Sequence, residues 1–239
     1  MATTIATGQI NAYSIGTNAT NLVWTTWNGI GNDGTVMSLP LAGGSPITLA
    51  SAQGLPAAIV ADDVDAFWIR DNGYLQAAPV AGGSGRVLAF NQSNLGALAV
   101  DVSGLYSTNP ISGDVSAVGK TFGGTTVLAA GQASPTGIAV DATNVYWTNQ
   151  VLGTGAIKKL PRGGGTATVL AGSENSPVDV AVDAANVYWG GTDGNVRRVP
   201  IGGGTPVTIA KRESVRRIAV DATAVYWLTT ADKIYRVAK

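Results

Sequence analysis

The sequence contains no cysteine and no histidine. Disulfides and thiolate chemistry are excluded, and with them a Ser-His-Asp triad, a Cys-His dyad and every ordinary zinc site. Charge is also sparse. Only 13% of the 239 residues are charged, 15 basic against 15 acidic, so there is no large positive field to attract nucleic acid. No apolar run approaches the roughly 18–20 residues that span a bilayer, and no membrane insertion is expected. The start, Met1-Ala2-Thr3-Thr4, has neither the basic nor the apolar region of a signal peptide. It reads as a cytoplasmic start or as the edge of a domain cut from a longer precursor. Absence of cysteine does not choose between compartments.

Apolar residues make up 45% of the chain, ample for a core and unlike a disordered segment. The few charges are unevenly placed. Residues 1–154 carry three basic and eight acidic side chains, and residues 155–239 carry twelve and seven. Two explanations stay open, surface drift and a one-sided docking patch.

A repeat of about 40 residues dominates what is present. Its clearest copies are Ile138-Ala-Val-Asp-Ala-Thr-Asn-Val-Tyr-Trp147, Val180-Ala-Val-Asp-Ala-Ala-Asn-Val-Tyr-Trp189 and Ile218-Ala-Val-Asp-Ala-Thr-Ala-Val-Tyr-Trp227. Weaker copies run from Ile15 to Trp24, with Asn18 for the aspartate, from Ile59 to Trp68 with Asp62, and from Leu98 to Ser107 with Asp101. Their last positions are 38 to 44 residues apart.

After each copy comes a turn such as Asp33-Gly34, Asn72-Gly73 or Asp193-Gly194, then a strand, a glycine cluster and another strand. Asn-Gly and Asp-Gly between apolar runs mark hairpins, because both central residues need positive φ. No helical period is sustained anywhere. Each unit is thus four short antiparallel strands, a blade that buries both faces only by stacking in a ring. The expectation is an all-β, six-bladed β-propeller formed by residues 1–239 as a single domain. The sixth unit stops after its third strand, at Ile234-Tyr-Arg-Val-Ala-Lys239. Ala2-Thr-Thr-Ile-Ala6 aligns with the fourth strand Pro206-Val-Thr-Ile-Ala210. The N-terminal strand is therefore expected to complete the last blade, about 216–239 plus 2–8, and so close the ring.

At Val145-Tyr-Trp-Thr-Asn149 the unit resembles the YWTD repeat of the low-density-lipoprotein receptor propellers and the NHL-type repeats of bacterial six-bladed propellers. It is most similar to bacterial surface and secreted proteins built of Ala-Val-Asp-x-x-x-Val-Tyr-Trp units with Gly-Gly-Gly turns. The resemblance implies a propeller, an extracytoplasmic place and a binding role. Only the fourth unit has Tyr-Trp-Thr-Asn. The third has Tyr106-Ser107, the fifth Gly190-Gly191 after its tryptophan, and the sixth Leu228-Thr229. Calcium-dependent lactonases share the six-bladed ring, but their Glu, Asn and Asp constellation does not map onto this sequence residue by residue.

The recurring aspartates Asp62, Asp101, Asp141, Asp183 and Asp221, with Asn18, end the first strand of each unit. There they are expected to accept turn amides and fix the hairpin. Candidate ligand-binding residues lie where the repeat is broken, on the loop face between second and third strands and at the blade connections. They are Trp27, Arg70, Asn109, Asn149, Glu174, Asp179, Asp193, Arg212, Glu213 and Arg217. Trp27 has no counterpart in other units and could stack on a sugar or anchor a partner. Asp179 occupies the position in the fifth unit that matches Arg217 in the sixth, which reads either as an interblade salt bridge or as an anion site.

No catalytic residue is identified. Three readings remain open: a monomeric non-catalytic module binding a protein or glycan through the loop face, a lactonase-like hydrolase with calcium in the central channel, and a purely structural repeat domain. The first expects no cofactor. The second would need Glu174, Asp179 or Glu213 to face a metal.

Overall fold

The computed structural model describes residues 4–27, 29, 31–90, 92 and 94–239. Among these every regular element is a strand. The first sheet comprises β1 (Ala12–Thr17), β2 (Asn21–Thr26), β3 (Gly34–Pro40) and β4 (Ile47–Gln53). The second has β5 (Pro56–Ala61), β6 (Asp65–Arg70), β7 (Leu75–Pro79) and β8 (Arg86–Ala89), and the third β9 (Ala97–Val100), β10 (Leu105–Asn109), β11 (Asp114–Val118) and β12 (Thr125–Ala129). The fourth contains β13 (Pro135–Val140), β14 (Asn144–Asn149), β15 (Gly155–Pro161) and β16 (Thr168–Glu174). The fifth has β17 (Pro177–Val182), β18 (Asn186–Gly191), β19 (Asn195–Pro200) and β20 (Val207–Lys211), and the sixth β21 (Val215–Val220), β22 (Ala224–Thr229) and β23 (Ile234–Ala238). Each sheet is antiparallel with its strands in chain order, five of four strands and one of three.

Six consecutive meanders agree with the six sequence units and with a six-bladed propeller. The expected closing strand is not part of the sixth sheet, which ends at β23. Residues 4–9 form no strand, and Ala2 and Thr3 lie outside the described residues.

The chain gathers into two compact units, Met1–Leu105 with Val118–Thr125, and Tyr106–Ala117 with Thr126–Lys239. In the first unit, Val23, Val36 and Leu49 of the first sheet pack on Ile59 and Trp68 of the second. Phe67, Leu75 and Leu88 in turn pack on Leu98, Leu105 and Val118. The second unit repeats this arrangement, Tyr146 and Ile157 meeting Val180 and Trp189, and Tyr188 and Val196 meeting Val215, Ile218 and Trp227. The period-2 alternation of a strand puts tyrosine and tryptophan on opposite faces of β14, β18 and β22. In the fifth sheet Trp189 thus packs against the fourth and Tyr188 against the sixth.

Every turn aspartate does what its position at the strand end suggests. One oxygen of Asp141 accepts the amides of Thr143 and Asn144, each at 2.7 Å. Asp62, Asp101, Asp183 and Asp221 do the same with the residues two and three places on, and Asn18 replaces them with its amide oxygen. The second oxygen has its own partner, which explains the spacing to the tyrosine. Tyr146 donates to Asp141 at 2.6 Å, Tyr188 to Asp183 at 3.0 Å and Tyr226 to Asp221 at 2.8 Å. Phe67 cannot donate, and in its place Lys120 reaches Asp62 at 2.5 Å while lying over the Phe67 ring.

Candidate functional site

Indole N–H groups organise the opposite end of the sheets. Trp24 donates to Gln9 at 2.8 Å, Trp68 to Gln53 at 3.1 Å and Trp189 to Glu174 at 2.9 Å. Each acceptor stands fifteen residues before its tryptophan, where the chain passes into the next first strand. Trp147 turns to Asn149 at 3.1 Å, and the residue fifteen before it, Gln132, accepts from Asn149 and Lys158. The four indoles are buried, so their N–H groups must be paired at home.

The sixth sheet departs from this pattern. The residue fifteen before Trp227 is Arg212, which has donors only. Trp227 is 4% exposed, and its Nε1 is shielded from solvent with no partner. Its ring stacks on Tyr235 with centroids 5.6 Å apart and planes at 23°. Tyr235 stands directly opposite Trp227 in the β22–β23 register, where the other sheets place Met37, Gln76, Lys158 and Arg197. The Arg212 guanidinium lies over the Tyr235 ring at 5.7 Å. One oxygen of Glu213 accepts from Lys233 at 2.7 Å and from the Tyr235 hydroxyl at 3.3 Å. The other, Oε2, is shielded and unpartnered. The Lys233 hydrogen bond is the main cause holding the Glu213 carboxyl down at about 2.

The ten candidate residues therefore have unequal surroundings. Arg212 and Glu213 meet through Tyr235. Glu174 and Asp193 meet through Arg197, which pairs with both. Glu174 is 5% exposed at the end of β16, and its carboxylate is held by Trp189 and Arg197 of the fifth sheet. Asp179 is buried, and its Oδ2 accepts the Ile218 amide at 3.0 Å. Burial raises its carboxyl, against the opposing pull of Arg217 and of the Ile218 and Val180 amides. Arg217 is exposed and forms no ion pair with Asp179; its NH1 reaches the Arg216 carbonyl at 3.4 Å.

Asn109 accepts the amides of Ile111 and Ser112, and Asn149 holds Trp147. Arg70 ends β6 with its Nε buried and unpartnered. Trp27 is half-buried, and its Nε1 reaches the Gly31 carbonyl at 3.4 Å within its own loop, of which Asn28 and Ile30 lie outside the described residues. Trp227, Lys233 and Tyr235 are not among the residues singled out by the broken repeat. For Trp227 a signal existed, the glutamine or glutamate fifteen residues before each other tryptophan of the repeat position, replaced there by Arg212.

A hollow of about 600 Å³ at the turn-aspartate end of the fifth and sixth sheets is lined by Asp183, Tyr188, Arg198, Asp221 and Lys239. Lys239 pairs with Asp183 at 2.5 Å and lies over the Tyr188 ring, as Lys120 does with Asp62 and Phe67. Burial alone would raise the Asp183 carboxyl. The Lys239 ammonium, the turn amides and the Tyr188 hydroxyl outweigh it and hold the group at about 2.

No protein-family model matches the chain, and no curated protein matches it. Solved structures do. A chain of the nidogen/laminin complex superposes with a TM-score of 0.73 over 87% of either chain at 15% identity. The computationally designed Ika8 protein superposes with a TM-score of 0.74 over 95% of this chain and 71% of that one at 16% identity. At such identities the likeness is one of fold alone, and together with the six antiparallel meanders it makes this chain a β-propeller.

Proposed function

We propose that this propeller is a non-catalytic binding module that recognises a protein or glycan through the surface where its blades connect. One observation carries the reading. The polar groups that recur in the repeat are used by the fold itself, as turn anchors and indole acceptors, whereas four side chains that depart from it, Arg212, Glu213, Lys233 and Tyr235, meet at one corner. The fold likeness to a chain from the nidogen/laminin complex adds support for a protein partner.

The calcium-dependent hydrolase reading requires several oxygen ligands to converge on one point. Glu174, Asp179 and Glu213 each already hold donors of the protein itself, and among the described residues no group of three or more acidic side chains is placed to bind a metal. An extracytoplasmic, monomeric state belongs to the proposal. So does closure of the ring by residues 2–8 against β23. In its favour, Ile15 of β1 is 66% exposed, although its counterparts Ile59 and Leu98 are 3% and 7% exposed under neighbouring sheets.

The test is binding of the purified chain to arrayed glycans and extracellular proteins, alongside Trp27→Ala and the pair Arg212→Ala, Glu213→Ala. A ligand lost on substitution at unchanged melting temperature supports the module. EDTA-sensitive hydrolysis of esters or lactones with no binder found overturns it.

A further inference from the structure

We propose that the corner of the sixth sheet formed by Arg212, Glu213, Trp227, Lys233 and Tyr235 binds a neutral, hydroxyl-rich ligand, a saccharide ring. The inference rests on the binding-module reading and assigns a ligand class to one part of that surface.

Four described tryptophans at the repeat position have a built-in acceptor for the indole N–H: Gln9, Gln53, Asn149 and Glu174. Trp227 has none, and the residue standing where Gln9, Gln53 and Glu174 stand is an arginine without acceptor capacity. Glu213 Oε2 presents the converse want, a shielded acceptor without a donor. Both groups bear on the same Tyr235, whose ring stacks on Trp227 and whose hydroxyl donates to the other oxygen of Glu213. A buried polar group left unsatisfied is disfavoured enough that each such case asks for a partner.

The partner must accept from the indole and donate to the carboxylate, and a hydroxyl group does both. Charge narrows the class further. An anion would meet Glu213, and a cation would meet Arg212 and Lys233, so a neutral ligand fits best. Tyr235 also offers an apolar face of the kind on which sugar rings rest. Arg212 lies over the ring, and its NH1 is tied back by one long contact of 3.5 Å to the Lys211 carbonyl. The long exposed side chain can swing aside and turn its donors toward ring hydroxyls.

Indole N–H resonances of the ¹⁵N-labelled chain provide the test, with Trp227 assigned by Trp227→Phe. Titration with glucose, galactose, mannose and N-acetylglucosamine is expected to move that resonance saturably and leave those of Trp68 and Trp189 in place. Glu213→Gln should weaken the effect about tenfold, as expected for one hydrogen bond to a charged acceptor. Arg212→Gln restores the acceptor found in the first and second sheets. It should satisfy the indole internally, raise the melting temperature and abolish the sugar response.

The proposal is overturned if none of these sugars moves the resonance and a water-exchange cross-peak marks it instead, the sign of a bound water only. It is also overturned if Arg212→Gln responds as the wild type does. Either result leaves protein binding elsewhere on the surface intact, so it differs from a failure of the module reading.

Discussion

At the scale of single residues, the repeated motif is a two-handed anchor. The aspartate gives one oxygen to the turn amides and the other to a tyrosine hydroxyl five residues on, in the fourth, fifth and sixth sheets. Tyr146→Phe removes one such bond and should lower unfolding stability by about 1 kcal/mol, measurable by urea denaturation. Gln53→Leu leaves the Trp68 indole N–H buried and unpaired and should cost about 1–3 kcal/mol. The Asp183–Lys239 pair adds a pH dependence. A carboxyl whose folded value is lowered contributes stability that is complete above its unfolded value near 3.8 and is lost as pH falls toward about 2. Melting curves of the wild type should therefore decline more steeply below pH 4 than those of Lys239→Met.

At the scale of elements, stacking of one sheet on the next decides which departures from the repeat are tolerated. Gly190 follows Trp189 in the fifth sheet, where the sixth has Leu228. A Cβ there would collide with the Val215 side chain, so the glycine belongs to packing rather than to a loop function. Gly190→Ala should lower the melting temperature by several degrees, as overpacking by about 1–3 kcal/mol does in a domain of this size. At Gly194 the reason is twofold. Its φ is +77°, and a Cβ would run into the Arg212 carbonyl, so the Asp-Gly turn is held both by its own conformation and by the chain leaving β20. Ser107, in the place of a tryptophan, is 1% exposed with an unpartnered hydroxyl, and nothing in the structure explains the exchange.

For the whole molecule, six consecutive antiparallel units, their hairpin turns and the lack of helix among the described residues were legible because period and turn chemistry are local properties of the chain, whereas the fourth strand expected for the sixth unit is not in its sheet. A closed ring is a stronger statement, since it needs the first and last units to share a surface. It carries its own prediction. If residues 2–8 pair with β23, deletion of that segment should destabilise the chain by several kcal/mol, and Ile15→Asp should cost about as much as a buried charge at Ile59. If both variants melt with the wild type, closure by the N-terminal strand is wrong.

The sequence by itself determined the fold class, the number of units and the role of the aspartates, because strand alternation, Asp-Gly turns and an acceptor two and three residues before a turn amide all act over short stretches. It also named Arg212 and Glu213, through their positions outside the repeat. Only the tertiary structure decided how the polar side chains are spent. Glu174 and Asp179 were candidates for a ligand, yet each faces a donor of the protein distant in sequence, Trp189 and Arg197 for one and the Ile218 amide for the other. The unsatisfied pair at Trp227 and Glu213 is of the same kind. A missing partner can be recognised only when the strands that should supply it are side by side, because burial and hydrogen-bond satisfaction belong to the packed sheets and not to any single stretch of chain.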